Sequence, residues 1–81
     1  MKKSELKRKL IEDGIPRNMY SLDGGLPNEA LCLAKDKRFW EVYYSERGLK
    51  RNLGRFESEE EACDYFYELI TEAYEHHYGD S

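Results

Sequence analysis

Apolar positions along the chain switch between helical and alternating spacing, and each switch marks an element. Leu6 and Leu10 stand four apart with Ile11 beside them, which predicts a short helix over residues 4–13 with Ser4 as its N-cap. Gly14 supplies the left-handed position just past that helix. Ile15 folds back on Leu10, and Pro16 cannot continue the turn. Residues 19–22 predict a short strand, closed by the turn signal Asp23-Gly24-Gly25. Residues 29–35 place Leu31 and Leu33 on one face and Ala30, Cys32 and Ala34 on the other. Apolar residues on both faces predict a central strand.

After a tight turn at Asp36-Lys37, residues 38–45 alternate most clearly. Trp40, Val42 and Tyr44 point one way; Phe39, Glu41, Tyr43 and Ser45 point outward on the other. Glu46-Arg47-Gly48 closes a second hairpin. A weaker strand follows over 49–56, with Leu49 and Leu53 in phase and Gly54 marking a bulge. Ser58-Glu59-Glu60-Glu61 then fits a capping box with Ser58 as N-cap and Glu61 reaching back. A helix runs from there to about His76. Its apolar stripe is Ala62, Phe66, Ile70 and Ala73, flanked by Cys63 and Leu69.

These elements define one α+β domain spanning residues 1–81. It is an antiparallel meander sheet of three to four strands, flanked in sequence by an N-terminal and a C-terminal helix. Both helices pack on one sheet face, against Trp40, Val42 and Tyr44.

Composition narrows the class. The chain has 81 residues, a net charge of −4 and eleven aromatic residues, too many for a disordered segment of this charge. No run approaches the roughly 18 apolar residues of a membrane span, and no apolar stretch of a secretory signal follows the first lysines. Cys32 and Cys63 are too few for a disulfide framework. They read as two buried thiols, with a single bridge as the other option, and the expected compartment is the reducing cytoplasm.

The charges are segregated. Residues 1–56 hold all 13 basic residues and 8 acidic ones; residues 57–81 hold 9 acidic residues and no basic ones. Acidic residues in a first helical turn favour the helix dipole, which accounts for Glu59, Glu60 and Glu61. The dipole disfavours Glu68, Glu72 and Glu75, further along. Solubility explains an acidic face of this kind; so does a docking surface for a basic partner. On the docking reading Glu60, Glu61, Asp64, Glu68, Glu72 and Glu75 carry the charge. Tyr67, and Tyr43 on the outward sheet face, serve as anchors. The seven tyrosines are also ordinary boundary packing, notably Tyr65, Tyr67, Tyr74 and Tyr78 at the edge of the helical stripe.

The chain carries no nucleophile elbow, phosphate-binding loop, dinucleotide fingerprint or His-Glu-x-x-His motif. Its only histidines, His76 and His77, diverge by about 100° on a helix and cannot readily share a metal. His77 falls in phase with the apolar stripe and reads as partly buried. The expectation is a protein that is not an enzyme and has no cofactor or metal. Helix–sheet–helix order also occurs in double-stranded-RNA-binding domains, which place basic residues at the start of the last helix. Here Ser58-Glu59-Glu60-Glu61 would repel phosphate, so nucleic acid is not the expected partner. Neither is a membrane.

Three stretches carry a family resemblance: Tyr20 to Ala30 (Tyr-Ser-Leu-Asp-Gly-Gly-Leu-Pro-Asn-Glu-Ala), Trp40 to Gly48 (Trp-Glu-Val-Tyr-Tyr-Ser-Glu-Arg-Gly) and Phe56 to Cys63 (Phe-Glu-Ser-Glu-Glu-Glu-Ala-Cys). Together, over roughly residues 5–70, the chain resembles small bacterial immunity proteins of polymorphic toxin systems, the immunity protein 59 family. The resemblance implies a cytoplasmic inhibitor that binds and neutralises a cognate toxin domain. Nucleases with basic grooves are among such toxins, and an acidic inhibitor suits them. The other reading is a non-enzymatic adaptor or regulatory module. In either case the protein is expected to be a monomer or weak homodimer.

Overall fold

The computed structural model describes residues 1–78, with side chains described through His76. Helix α1 spans Lys3–Glu12, a 3-10 turn spans Arg17–Met19, and strands β1 (Tyr20–Ser21), β2 (Ala30–Asp36), β3 (Phe39–Glu46) and β4 (Leu49–Phe56) follow. Helix α2 spans Glu59–Tyr78. The strands form one sheet in the order β1-β2-β3-β4.

The end of α1 is as its sequence requires. Gly14 takes φ +71°, its N–H reaches the Ile11 carbonyl at 3.0 Å, and the Ile15 N–H reaches the Leu10 carbonyl at 3.1 Å. This is the paired bonding of a Schellman ending. The start differs from expectation. Ser4 lies inside the helix, and Lys2 occupies the N-cap without a side-chain cap. The main-chain N–H of Lys3 instead donates to Glu59 Oε2 at 2.7 Å.

The hairpins set the sheet. Arg47 and Gly48 both take positive φ, 52° and 78°, the pattern of a two-residue turn whose twist matches its strands. The bulge falls at Leu53: Val42 pairs with Gly54 and Tyr43 with Asn52, so Leu53 is the extra residue. Gly54 lies under the Phe56 and Tyr65 rings. A Cβ there would meet Phe56 at 2.8 Å and Tyr65 at 3.1 Å.

One strand departs from an all-antiparallel meander. β1 pairs parallel to β2, with Tyr20 beside Leu31 and Ser21 beside Cys32. The chain continues alongside β2 until the Gly24 N–H bonds the Leu33 carbonyl at 3.0 Å, and then doubles back to start β2 at Ala30. Gly24 and Gly25, at φ +71° and +85°, make the reversal possible. Parallel neighbours normally need a longer crossover. With only two residues in β1, the return path is short.

The returning segment straps the sheet face opposite the helices at Gly24 and Gly25, while Leu22 at its start packs in the helix-side core and Asp23 pairs with Lys3 of α1. Tyr43 Oη donates to the Gly25 carbonyl at 2.6 Å, Ser21 Oγ to the Gly24 carbonyl at 2.8 Å, and the Arg47 N–H to Asn28 Oδ1 at 3.3 Å. Ala30, Cys32, Tyr43 and Ser45 are buried on that face. Ser45 Oγ has no hydrogen-bond partner among the described residues.

The other face carries the main core. Leu31, Leu33 and Val42 meet Ala62, Cys63, Phe66 and Ile70 of α2 and Leu6 and Leu10 of α1, with Trp40 packed at the margin. α2 lies across β2, β3 and β4, and α1 lies beside α2. Ser58 caps α2 as its sequence predicts: Ser58 Oγ accepts the Glu61 N–H at 3.1 Å and donates to Glu61 Oε1 at 3.3 Å. Glu61 thus reaches back to the hydroxyl. At 20 residues, α2 is about 30 Å long. In its later turns Tyr74 still packs against the core, whereas Ala73, in phase with the stripe, is exposed. Cys32 and Cys63 are both buried free thiols on opposite sides of the sheet, with no bridge between them. No helix among the described residues is long and apolar enough to cross a membrane.

Candidate functional site

The capping of α2 at Ser58 and the burial of Ala62, Phe66 and Ile70 fix which side of the helix faces out. That side presents Glu60, Glu61, Asp64, Glu68, Glu72 and Glu75, all exposed. Asp64 accepts the Met1 ammonium at 2.8 Å, and this hydrogen bond holds the amine above its usual value of 8.0. Among the described residues, Glu60, Glu68, Glu72 and Glu75 have no ion-pair partner. The helix itself contains no lysine or arginine that could pair with them at i, i+4.

Several of the chain's cations are used elsewhere. Glu41, buried in β3, is paired with Lys50 at 3.0 Å and faces Arg55 at 3.8 Å. Lys50 also sits 4.6 Å from the centre of the Tyr43 ring, and Arg55 4.7 Å from that of Phe39. The outward sheet face read from the sequence is therefore not open. Strap and basic side chains cover it. Tyr43, expected as an anchor on the outward sheet face, is only 3% exposed and holds the strap. Burial pushes its phenol up to about 12, with the Cys32 thiol beside it adding to the shift.

Tyr67 turns toward α1 and away from the acidic residues. Its hydroxyl donates to Asp13, which raises its pKa, and Lys9 lies 5.3 Å from its ring centre. It clasps the two helices together. The acidic residues thus form one surface, while the two tyrosines assigned to it belong to the scaffold.

A feature that periodicity alone does not reveal lies next to that surface. A groove of about 680 Å³ opens between the later turns of α2 and the sheet, lined by Leu31, Leu53, Leu69 and Ala73 and by Tyr44 and Arg51. The available signal was the apolar stripe itself: it continues to Ala73, which the core leaves exposed.

Burial raises the Cys63 thiol to about 11 and shifts Cys32 upward too, so neither is poised as a thiolate. Among the described residues no group of three or more His, Cys, Asp and Glu side chains could hold a metal ion. His76 is exposed; the side chain of His77 lies outside the described residues. Set against known proteins, the chain matches no family model, no curated protein and no solved structure.

Proposed function

We propose that this chain is a non-enzymatic binding protein that docks the acidic outer face of α2 on a basic protein surface. Its partner is a toxin domain, which it neutralises in the cytoplasm of the producing cell. The observation that carries this reading is the row Glu60, Glu68, Glu72 and Glu75: exposed carboxylates on one helix, none of them in an ion pair among the described residues, with the Met1 ammonium near Glu60. Such a face repels itself in the isolated protein, and a basic partner removes that repulsion. It also speeds encounter by electrostatic steering. Rows of carboxylates on a helix mimic the charge of a phosphate backbone, which suits a nuclease with a basic groove. The resemblance of the three sequence stretches to immunity proteins points the same way.

The test is a colony count. The C-terminal domain encoded by the reading frame immediately upstream is expressed in a naive host, with and without this protein. Killing that the protein relieves supports neutralisation. A harmless upstream domain, or killing that persists, removes it and favours the adaptor reading.

A further inference from the structure

The helix layer leaves part of the sheet uncovered. α1 clasps the first half of α2, through Lys3 on Glu59 and Asp13 on Tyr67. The groove opens beside the second half. Its volume, about 680 Å³, is comparable with sites that hold whole small molecules, roughly 300–1,000 Å³. Its polar lining does not suit one. Tyr44 is half-buried and Asn18, Asn28, Glu29 and Arg51 are exposed, so no buried polar group stands ready to orient a small ligand.

Its position suits a protein partner. Leu69 forms part of the wall, and beside it, three residues on, stands Glu72, itself one turn from Glu68. The apolar groove and the acidic face therefore share an edge. Glu29 adds a further carboxylate to the lining. Arg51, exposed and without an ion-pair partner among the described residues, lines the sheet side. There it can meet a main-chain carbonyl of an entering segment.

We infer that the groove receives a large apolar or aromatic side chain of the basic partner, presented between lysines or arginines that meet Glu68 and Glu72. This rests on the acidic-face reading and adds its anchor. A desolvated apolar contact ringed by charge is the arrangement in which a few residues supply most of an interface's affinity. The acidic row alone would steer a partner; the groove would hold it.

The test uses the full chain and three capped peptides followed by methyl NMR: Lys-Lys-Trp-Lys-Lys, Lys-Lys-Ser-Lys-Lys and Glu-Glu-Trp-Glu-Glu. The first should bind about tenfold tighter than the second and shift the methyls of Leu31, Leu53, Leu69 and Ala73. The third should not bind. Ala73→Trp, at an exposed position, fills the groove and should abolish the advantage of the tryptophan peptide while leaving the serine peptide unaffected. Leu53→Lys, on the sheet side, should do the same. Equal affinity of the tryptophan and serine peptides overturns the groove inference and leaves the acidic-face reading standing. Binding of the acidic peptide, or of none of the three, overturns both.

Discussion

The carboxylate of Glu59, in the first turn of α2, accepts the main-chain N–H of Lys3, in the first turn of α1, at 2.7 Å. One helix thus caps the other across 56 residues of sequence. α1 has no side-chain cap of its own, and an acidic group at its positive end also favours its dipole. Glu59→Ala should cost about 1 kcal/mol in urea denaturation, the usual worth of a cap. Glu59→Gln, which keeps an acceptor, should cost less. Ser4→Ala should be close to neutral, since Ser4 sits inside the helix.

Tyr43 ties the strap to the sheet through the Gly25 carbonyl. Tyr43→Phe should cost about 1 kcal/mol and speed amide exchange across residues 22–29. It should also change the alkaline limb. The phenol is an acid whose folded pKa, about 12, lies above its ordinary 10.0. Its contribution to stability is complete below pH 10 and is lost as pH rises toward 12. A melting profile over that range should be flatter in Tyr43→Phe. Binding of a basic partner should be unchanged, because the side chain is buried.

Gly54 is constrained by space and not by φ. An added methyl group meets the Phe56 ring at 2.8 Å and the Tyr65 ring at 3.1 Å, and those rings pack on each other at 5.1 Å. Gly54→Ala should destabilise by about 1–3 kcal/mol, the range for overpacking. The lost near-ultraviolet dichroism of the displaced tyrosine would report the same event.

Mutual repulsion on α2 should be measurable without a partner. Glu72 and Glu75 stand in the later turns, where the dipole disfavours an anion. Added salt should raise the melting temperature by screening them. Glu75→Lys should stabilise by about 0.5 kcal/mol, through the dipole and a new pair with Glu72. A melting temperature that falls on both changes would mean that the row is already compensated.

Most of the fold was legible because local chemistry and tertiary structure agree. Gly14, the Arg47-Gly48 turn and Ser58 each act through bonds within a few residues, so the sequence displays them. The alternation of Trp40, Val42 and Tyr44 marks the helix-facing side correctly. What failed was non-local. Nothing near Tyr43 announces that Gly24 and Gly25 return over it, so an outward tyrosine became a buried one. The parallel pairing of β1 has the same cause. Ser4 looked like a cap because the real one, Glu59, comes from the far end of the chain. The acidic row was legible, since it needs only helical spacing and the absence of lysine. The groove was not, since it depends on where α2 ends relative to the sheet.

The most direct test of the central claim is the protection given by Glu68→Lys/Glu75→Lys against the C-terminal domain encoded upstream, scored by colony count beside wild type. Position 68 stands four residues from Asp64 and Glu72, and position 75 three from Glu72, so both substitutions create pairs with remaining carboxylates and the variant should fold at least as stably as wild type in a urea titration. The account predicts that wild type protects and the equally stable variant does not. Full protection by the variant would contradict it, and would place the docking surface elsewhere on the protein.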